Sequence, residues 1–382
     1  MKNRILIVAG EASGDKHGAK LVREIKLSAP ETHLYGIGGT AMRAEGVDTF
    51  IDSGNLAVIG LWEVVHKIGM VWKAFQRIRH EFLTHPPDLV ILIDFPDFNL
   101  RVAHMASKRG IPVAYYISPQ VWAWRKGRVK QIARWVRKML VIFPFEATFY
   151  KRHGIRAEYV GHPLLDEPME RMEREEALRF LNLDPNHRYV GLLPGSRRSE
   201  IRLMFPNILR AGALIHRKFP DTRFIVPVAS TLKETDLAPY LKRFPIPVSL
   251  VTGRFQAAMR SMDAAIVASG SATLETAMLD VPMCIVYRVS PITALVGRFV
   301  INVDYIGIIN LIAGRQVAVE LIQNKATPQR MAREIEFLLN DPERCNRMRA
   351  DYREIRVKLG DSGASPKAAR HILEILQAGA AA

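Results

Sequence analysis

Short uninterrupted apolar runs, separated by segments with helical spacing, constrain this chain more than any other feature. Residues 4–9 (RILIVA), 88–93 (DLVILI) and 111–117 (IPVAYYI) show no polar alternation, so each predicted strand needs cover on both faces. Further strands are expected near 33–37, 140–143 and 157–160. A second set follows at 189–193, 223–228, 247–251, 264–268 and 283–287. Doubly covered strands alternating with helices predict parallel sheets. The expected fold class is α/β, with two doubly wound, Rossmann-like domains facing across a cleft. Ligands would then sit outside the strand carboxyl ends, where turns at Gly10, Asp94, Ser118, Gly195 and Ser269 would ring one crevice. The expected divisions are 1–164, 165–360 and a C-terminal helical piece 361–382 that packs back near the domain interface. The charged stretch 165–186 reads as helical, the first element after a domain crossover.

A length of 382 residues exceeds what one core usually serves. The formal charge of +16 implies an anionic partner, whether nucleic acid, an acidic lipid surface or a phosphorylated substrate. Two cysteines, Cys284 and Cys345, lie far apart with no metal-ligand spacing, which fits a reduced cytoplasmic compartment. The apolar run 5–9 is too short for a signal segment and reads as the first strand. A spanning helix needs about 20 apolar residues. The nearest stretch, 294–313, contains Arg298, Asn302, Asp304 and Asn310, so no integral membrane segment is expected. A position on a membrane surface stays open.

Four turns carry candidate chemistry. In 192–200 (LLPGSRRSE) a strand runs into a turn at Gly195, and Ser196 or Ser199 is expected to cap the helix that follows. Turn amides with Arg197 and Arg198 suit a phosphate or diphosphate; the alternative is an ordinary turn with solvated arginines. The segment 268–275 repeats the theme. Ser269, Gly270, Ser271 and Thr273 would suit a diphosphate and Glu275 a ribose, unless Ser271 simply caps a helix. Residues 10–15 (GEASGD) lack the GxGxxG spacing, which disfavours a nicotinamide dehydrogenase. Gly10, Ser13 and Gly14 still suit close approach to a bound molecule, and Glu11 could bond a hydroxyl. In 94–99 (DFPDFN), Asp94 leaves a buried strand and is the candidate general base, against the alternative that one aspartate caps a helix. No Asp-x-Asp, HExxH or close histidine pair appears, so neither metal nor cofactor is expected. Residues 122–138 and 56–82 mix aromatic and basic side chains. They read first as core-facing helices with charged outer faces and next as membrane-surface segments. Single-stranded nucleic acid would use similar residues, but no RNA-binding or zinc signature accompanies them.

The ordered motifs VAGEASGD, GIGGTAM, IDFPDFN, YISPQVWAWRKGRV, FPFE, YVGHPL, LLPGSRRSE, SGSATLE and NLIAGR closely resemble the lipid-A-disaccharide synthase family, sugar transferases of the GT-B architecture. The resemblance implies transfer of 2,3-diacylglucosamine from its UDP derivative to 2,3-diacylglucosamine 1-phosphate. The products would be UDP and a β(1→6) disaccharide 1-phosphate, with inversion. It further implies peripheral attachment to the anionic inner membrane of a Gram-negative cell at its cytoplasmic face, no nucleic-acid partner, and leaves a homodimer open. Matched residue by residue, Asp94 is the implied base and Arg197 the stabiliser of the UDP leaving group. The nucleotide is implied near 269–275 and Asn310. Competing readings are another UDP-sugar enzyme of this fold, such as an epimerase, and a basic nucleic-acid-binding protein.

Overall fold

In the computed structural model, residues 3–55, 63–122, 127–168, 172–290 and 303–380 are described. The chain divides into two compact units, residues 1–167 with 359–382, and residues 168–358. The first unit is built on seven strands: β1 (Arg4–Ala9), β2 (His33–Gly38), β3 (Asp48–Asp52), β4 (Leu89–Ile93), β5 (Val113–Tyr116), β6 (Lys138–Val141) and β7 (Ala157–Tyr159). They order as β3-β2-β1-β4-β5-β6-β7, and every adjacent pair is parallel. β4 and β5 are buried throughout, as their unbroken apolar sequence requires.

The covering helices follow the apolar spacing. Helix Ala12–Ser28 buries Leu21, Val22 and Ile25, and helix Pro96–Ser107 buries Phe98, Val102 and Ala106. The first packs on β1, β2 and β4, across the point where strand order reverses, and the second on β4 and β5. The first carries Gly18, where a Cβ would stand 2.6 Å from Met42 Sδ and 3.2 Å from Ile93 Cδ1. Glycine there lets the helix lie close on the sheet.

The second unit repeats the plan with six strands: β8 (Arg188–Leu193), β9 (Thr222–Val228), β10 (Val248–Thr252), β11 (Ala264–Ala268), β12 (Met283–Tyr287) and β13 (Glu320–Ile322). Their order is β10-β9-β8-β11-β12-β13, again wholly parallel, with the reversal between β8 and β11. Two α/β units with parallel sheets establish the expected fold class. Strands β3 and β13 were not anticipated: β3 is a half-exposed edge strand with aspartates at both ends, and β13 spans three residues.

One expectation changes, and two fall partly outside the described residues. The stretch 165–186 holds only the short helix Arg174–Phe180 after a 3₁₀ turn at Pro163–Asp166, with 169–171 outside the described residues. The helix expected from 128 runs over Arg128–Trp135, while 123–126 lie outside the described residues. Of 56–82, residues 56–62 lie outside them and the rest falls in helix Glu63–Thr84.

Helix Ala364–Ala380 belongs to the first unit and packs on helix Ala12–Ser28. Its start is held by Asp166. One carboxylate oxygen accepts from the amides of Gly363 (2.6 Å) and Ala364 (3.0 Å), the other from the Ser365 amide (3.0 Å) and hydroxyl (3.1 Å). Burial alone would raise the Asp166 pKa, but these four donors outweigh it and hold the carboxyl below its ordinary value. Asp166→Ala should cost about 1–3 kcal/mol at pH 7, because it strands helix-start donors. A depressed folded pKa gives stability that is present above the unfolded value near 3.8 and lost as pH falls through the folded one. Thermal unfolding of both proteins at pH 7 and pH 3 should therefore show a gap that narrows at the lower pH.

Candidate functional site

In the first unit, β1 and β4 pair with Ala9 opposite Ile93, so the Gly10 turn and Asp94 leave the sheet side by side. Asp94 and Phe95 both adopt left-handed backbone, with φ of 45° and 48°. Two such residues in succession cost about 1–3 kcal/mol each, and they persist only where the surroundings over-determine them. Here they do. The Asp94 amide donates to the Tyr116 carbonyl at 3.2 Å. The Asp94 carbonyl accepts from the Tyr115 hydroxyl at 2.6 Å and from Asn99 Nδ2 at 2.7 Å, and Asn99 Nδ2 also reaches the Ile93 carbonyl at 3.1 Å. Burial raises the Tyr115 phenol well above its usual pKa, which keeps it a donor. The clamped peptide presents a half-buried Asp94 at the strand's carboxyl end. The N-cap position of the next helix is held by Phe95. Asp97 pairs with Arg128.

The Gly10 turn is crowded from within the unit. A Cβ on Gly10 would come within 2.2 Å of the Phe95 ring, so the close approach that demands glycine is made by the protein's own aromatic side chain. Gly14 is buried in the first turn of the helix that follows. Glu11 occupies the N-cap position of helix Ala12–Ser28, its carbonyl accepting from the Asp15 amide at 2.9 Å, and Ser13 is exposed in the first turn. Ser118 is turned inward, its Oγ 2.6 Å from the Tyr150 hydroxyl.

Two carboxylates here escaped sequence reasoning. Buried Asp15 accepts from the amides of Gly39 (2.6 Å), Ala41 (3.0 Å) and Met42 (3.1 Å), which ties the GIGGTAM turn to the GEASGD turn. Buried Glu146 accepts from the Trp122 indole at 2.9 Å through one oxygen and from the amides of Ile142 (3.3 Å) and Phe143 (3.1 Å) through the other. Burial pushes its pKa from 4.5 up to about 7, and the negative charge of Asp94 adds to the rise. The only signal for either was membership of a motif, GEASGD or FPFE; nothing in spacing predicts which amides a buried carboxylate will meet.

In the second unit, β8 and β11 are neighbours with Leu193 opposite Val267, so the 194–197 turn and the 269–271 turn leave the sheet together. Gly195 has φ of +108°. The expected serine cap is replaced: the helix starts at Arg198, and the cap donors at its start go to Glu200, whose Oε2 accepts from the amides of Ser196 (2.9 Å) and Arg197 (3.2 Å). A carboxylate carries full charge toward the helix start, so it outcompetes a hydroxyl there. It also means that the anion these two amides hold is internal. The Ser196 carbonyl accepts from the Thr231 hydroxyl at 2.6 Å, and Arg198 pairs with Asp236 at 2.9 Å. The Arg197 guanidinium stands about two-thirds exposed, 3.5 Å from Glu200.

Of the second turn, Ser269 Oγ donates to the Ile306 carbonyl at 3.2 Å and buried Thr273 to the Gly270 carbonyl at 2.7 Å. Ser271 opens helix Ser271–Met278 and is exposed, and half-buried Glu275 lies one turn further along it. These two residues, with Ser196 and Arg197, form the accessible polar edge of the unit. Asn310 does not join them. It is fully buried, its oxygen accepting from the amides of Val317 (2.7 Å) and Ala318 (3.0 Å) and its amide nitrogen donating to Ala318 O and Glu320 Oε1 (both 2.8 Å). The Asn310 side chain is thereby engaged within the 303–320 segment. Among the described residues no cluster of three His, Cys, Asp or Glu side chains is placed to hold a metal ion.

Comparison with known proteins bears on this geometry. A structure of the glycosyltransferase of kitacinnamycin aligns over 98% of this chain and 99% of its own with a TM-score of 0.63 at 14% identity. The UDP-N-acetylglucosamine 2-epimerase of Neisseria meningitidis, bound to UDP-GlcNAc, aligns over 98% and 100% with a TM-score of 0.53 at 12% identity. At such identities the likeness is one of fold, the GT-B architecture. Sequence relatives are far nearer. The lipid-A-disaccharide synthase of Geobacter metallireducens is 48% identical over 373 residues, 98% of this chain and 97% of that protein. That of Nitrosococcus oceani is 46% identical over 356 residues, 93% and 92% of the two chains. The family model described as lipid-A-disaccharide synthetase matches residues 5–375, so both strand-edge sites lie inside the match, and the chain belongs to the lipid-A-disaccharide synthase family.

Proposed function

We propose that this chain joins UDP-2,3-diacylglucosamine to 2,3-diacylglucosamine 1-phosphate, with the first unit serving the acceptor and the second the nucleotide sugar. The observation that carries the residue roles is the clamped, left-handed presentation of Asp94 at the end of β4, in a chain whose family performs sugar transfer. Asp94 takes the proton of the acceptor 6-hydroxyl. That oxygen attacks the donor's anomeric carbon from the face opposite UDP, the carbon–oxygen bond to the diphosphate breaks, and UDP leaves with the electron pair. Inversion follows from the single displacement. Arg197 offsets the charge that grows on the departing diphosphate, with Ser196, Ser269, Ser271 and Glu275 around the nucleotide.

Acylated substrates support a position on an acidic lipid surface, the cytoplasmic face of the inner membrane. The net charge of +16 supports such attachment. Among the described residues no helix is long and apolar enough to cross a membrane.

UDP release from purified protein, with both acylated sugars in detergent micelles and each omitted in turn, tests the reading. Release should require both sugars and match disaccharide formation; release from the donor alone would favour an epimerase-like enzyme. Asp94→Asn should lower kcat by about 10²–10⁴-fold, and Arg197→Ala by about 10²–10³-fold. Both variants should keep near wild-type thermal unfolding, since neither side chain is needed for the backbone clamps.

Glu146 gives a separate pH signature. Its folded pKa near 7 lies above its ordinary 4.5, so its protonation stabilises the fold fully below about pH 4.5 and that contribution is lost as pH rises through 7. Glu146→Gln should therefore gain in stability relative to wild type between pH 5 and pH 8. A constant difference across that range in chemical unfolding would contradict the assignment.

A further inference from the structure

Beside the candidate base, the first unit carries a groove of about 500 Å³ that none of the roles above employs. It lies among helices Glu63–Thr84, Pro96–Ser107 and Arg128–Trp135, and Phe75, Leu100, Met105 and Trp135 give it apolar walls. Arg79 and Arg101 stand along it, both exposed, and neither has an ion-pair partner among the described residues. Arg128, also at the groove, is engaged by Asp97. A volume of this size is typical of small-molecule sites.

The groove lies close to Asp94 along the chain. It starts at Pro96 and Asp97, just past Asp94, and follows one helix to Met105, a rise of about 13 Å. Three rings link the two: Phe95, which lies against Gly10, contacts Phe98 at 5.7 Å between centroids, and Phe98 stacks on Phe75 at 4.2 Å. The groove's far end is closed by His104 against Trp135, ring centroids 4.5 Å apart.

An apolar trough with two unneutralised guanidinium groups matches a ligand that is both acyl and anionic. Arginine's planar fork suits phosphate in particular. Resting on the transferase reading, we propose that this groove holds the acceptor: its 1-phosphate on Arg79 and Arg101, one acyl chain along the apolar wall, and its 6-hydroxyl toward Asp94. The donor also bears phosphates and acyl chains, but its diphosphate belongs with Arg197 in the second unit. The groove adjoins the base that acts on the acceptor. Arg79 and Arg101 then set the preference for a phosphorylated acceptor sugar.

The test compares wild type with the Arg79→Gln/Arg101→Gln double variant, on acceptors carrying either a 1-phosphate or a free 1-hydroxyl. Wild type should favour the phosphorylated acceptor. The double variant should lose about 10–100-fold in kcat/KM for it, change little with the 1-hydroxyl sugar, and keep its KM for the donor. Met105→Trp, which fills the trough, should slow long-chain acceptors more than short-chain ones. An unchanged preference in the double variant overturns the proposal. So does an equal loss with both acceptors, accompanied by weaker binding to phosphatidylglycerol vesicles, because the arginines would then serve the lipid surface alone. Wild type that releases no UDP with both substrates present would instead sink the transferase reading, and the groove assignment with it.

Discussion

Parallel strand pairing is the constraint on which everything else in this molecule depends. A parallel neighbour can be reached only by crossing back over a face of the sheet, so each strand acquires helical cover and must be apolar on both sides. The same geometry brings the strands' carboxyl ends to one edge within each unit. There the order reverses, between β1 and β4 and between β8 and β11, and adjacent turns diverge to leave room for a ligand. Gly10 beside Asp94, and Gly195 beside Ser269, are consequences of strand order rather than of any attraction between those residues.

Sheet topology delivers turns to an edge but does not hold them there. Buried polar groups do. Asp15 gathers three amides of the 39–42 turn, Glu146 two amides and an indole, Glu200 two amides of the 196–197 turn, and Asp166 the start of the last helix. Glu320 accepts from the amides of Ile306 and Gly307 while it also meets Asn310. In each case a carboxylate with four lone-pair sites satisfies donors that a loop or helix end would otherwise leave unpaired. Asn99 and Tyr115 do the converse at Asp94, donating to a single carbonyl and so locking a backbone conformation that an aspartate would not adopt unaided. The Asp94 segment is thus positioned through its peptide.

Much of this was legible beforehand. Residues 4–9, 88–93 and 264–268 announced central strands because burial on both faces leaves no room for polar residues. Edge strands β3 and β13 were not legible, since an edge tolerates aspartate and needs only a few hydrogen bonds. Asp94 could be singled out because a carboxylate directly after a buried strand is unusual. Ser196 and Ser199 as caps, Gly10 as a ligand approach and Asn310 as a nucleotide contact were all chemically reasonable readings. The serine cap failed because Glu200 took those donors, while Gly10 lies against Phe95 and the Asn310 side chain is engaged by the 317–318 backbone and Glu320, contacts that no local pattern announces.

The sequence by itself determined the alternation of strands and helices, the duplication of one architecture, and the motifs that mark the family, because these are written in local spacing and in residue identity. Packing between distant segments set which donors each carboxylate meets, the left-handed backbone of Asp94 and Phe95, and a trough among three helices where Arg79 and Arg101 have no ion-pair partner among the described residues. Those outcomes depend on residues far apart in the chain arriving at one place, and strand order and packing, not local propensity, decide where they arrive.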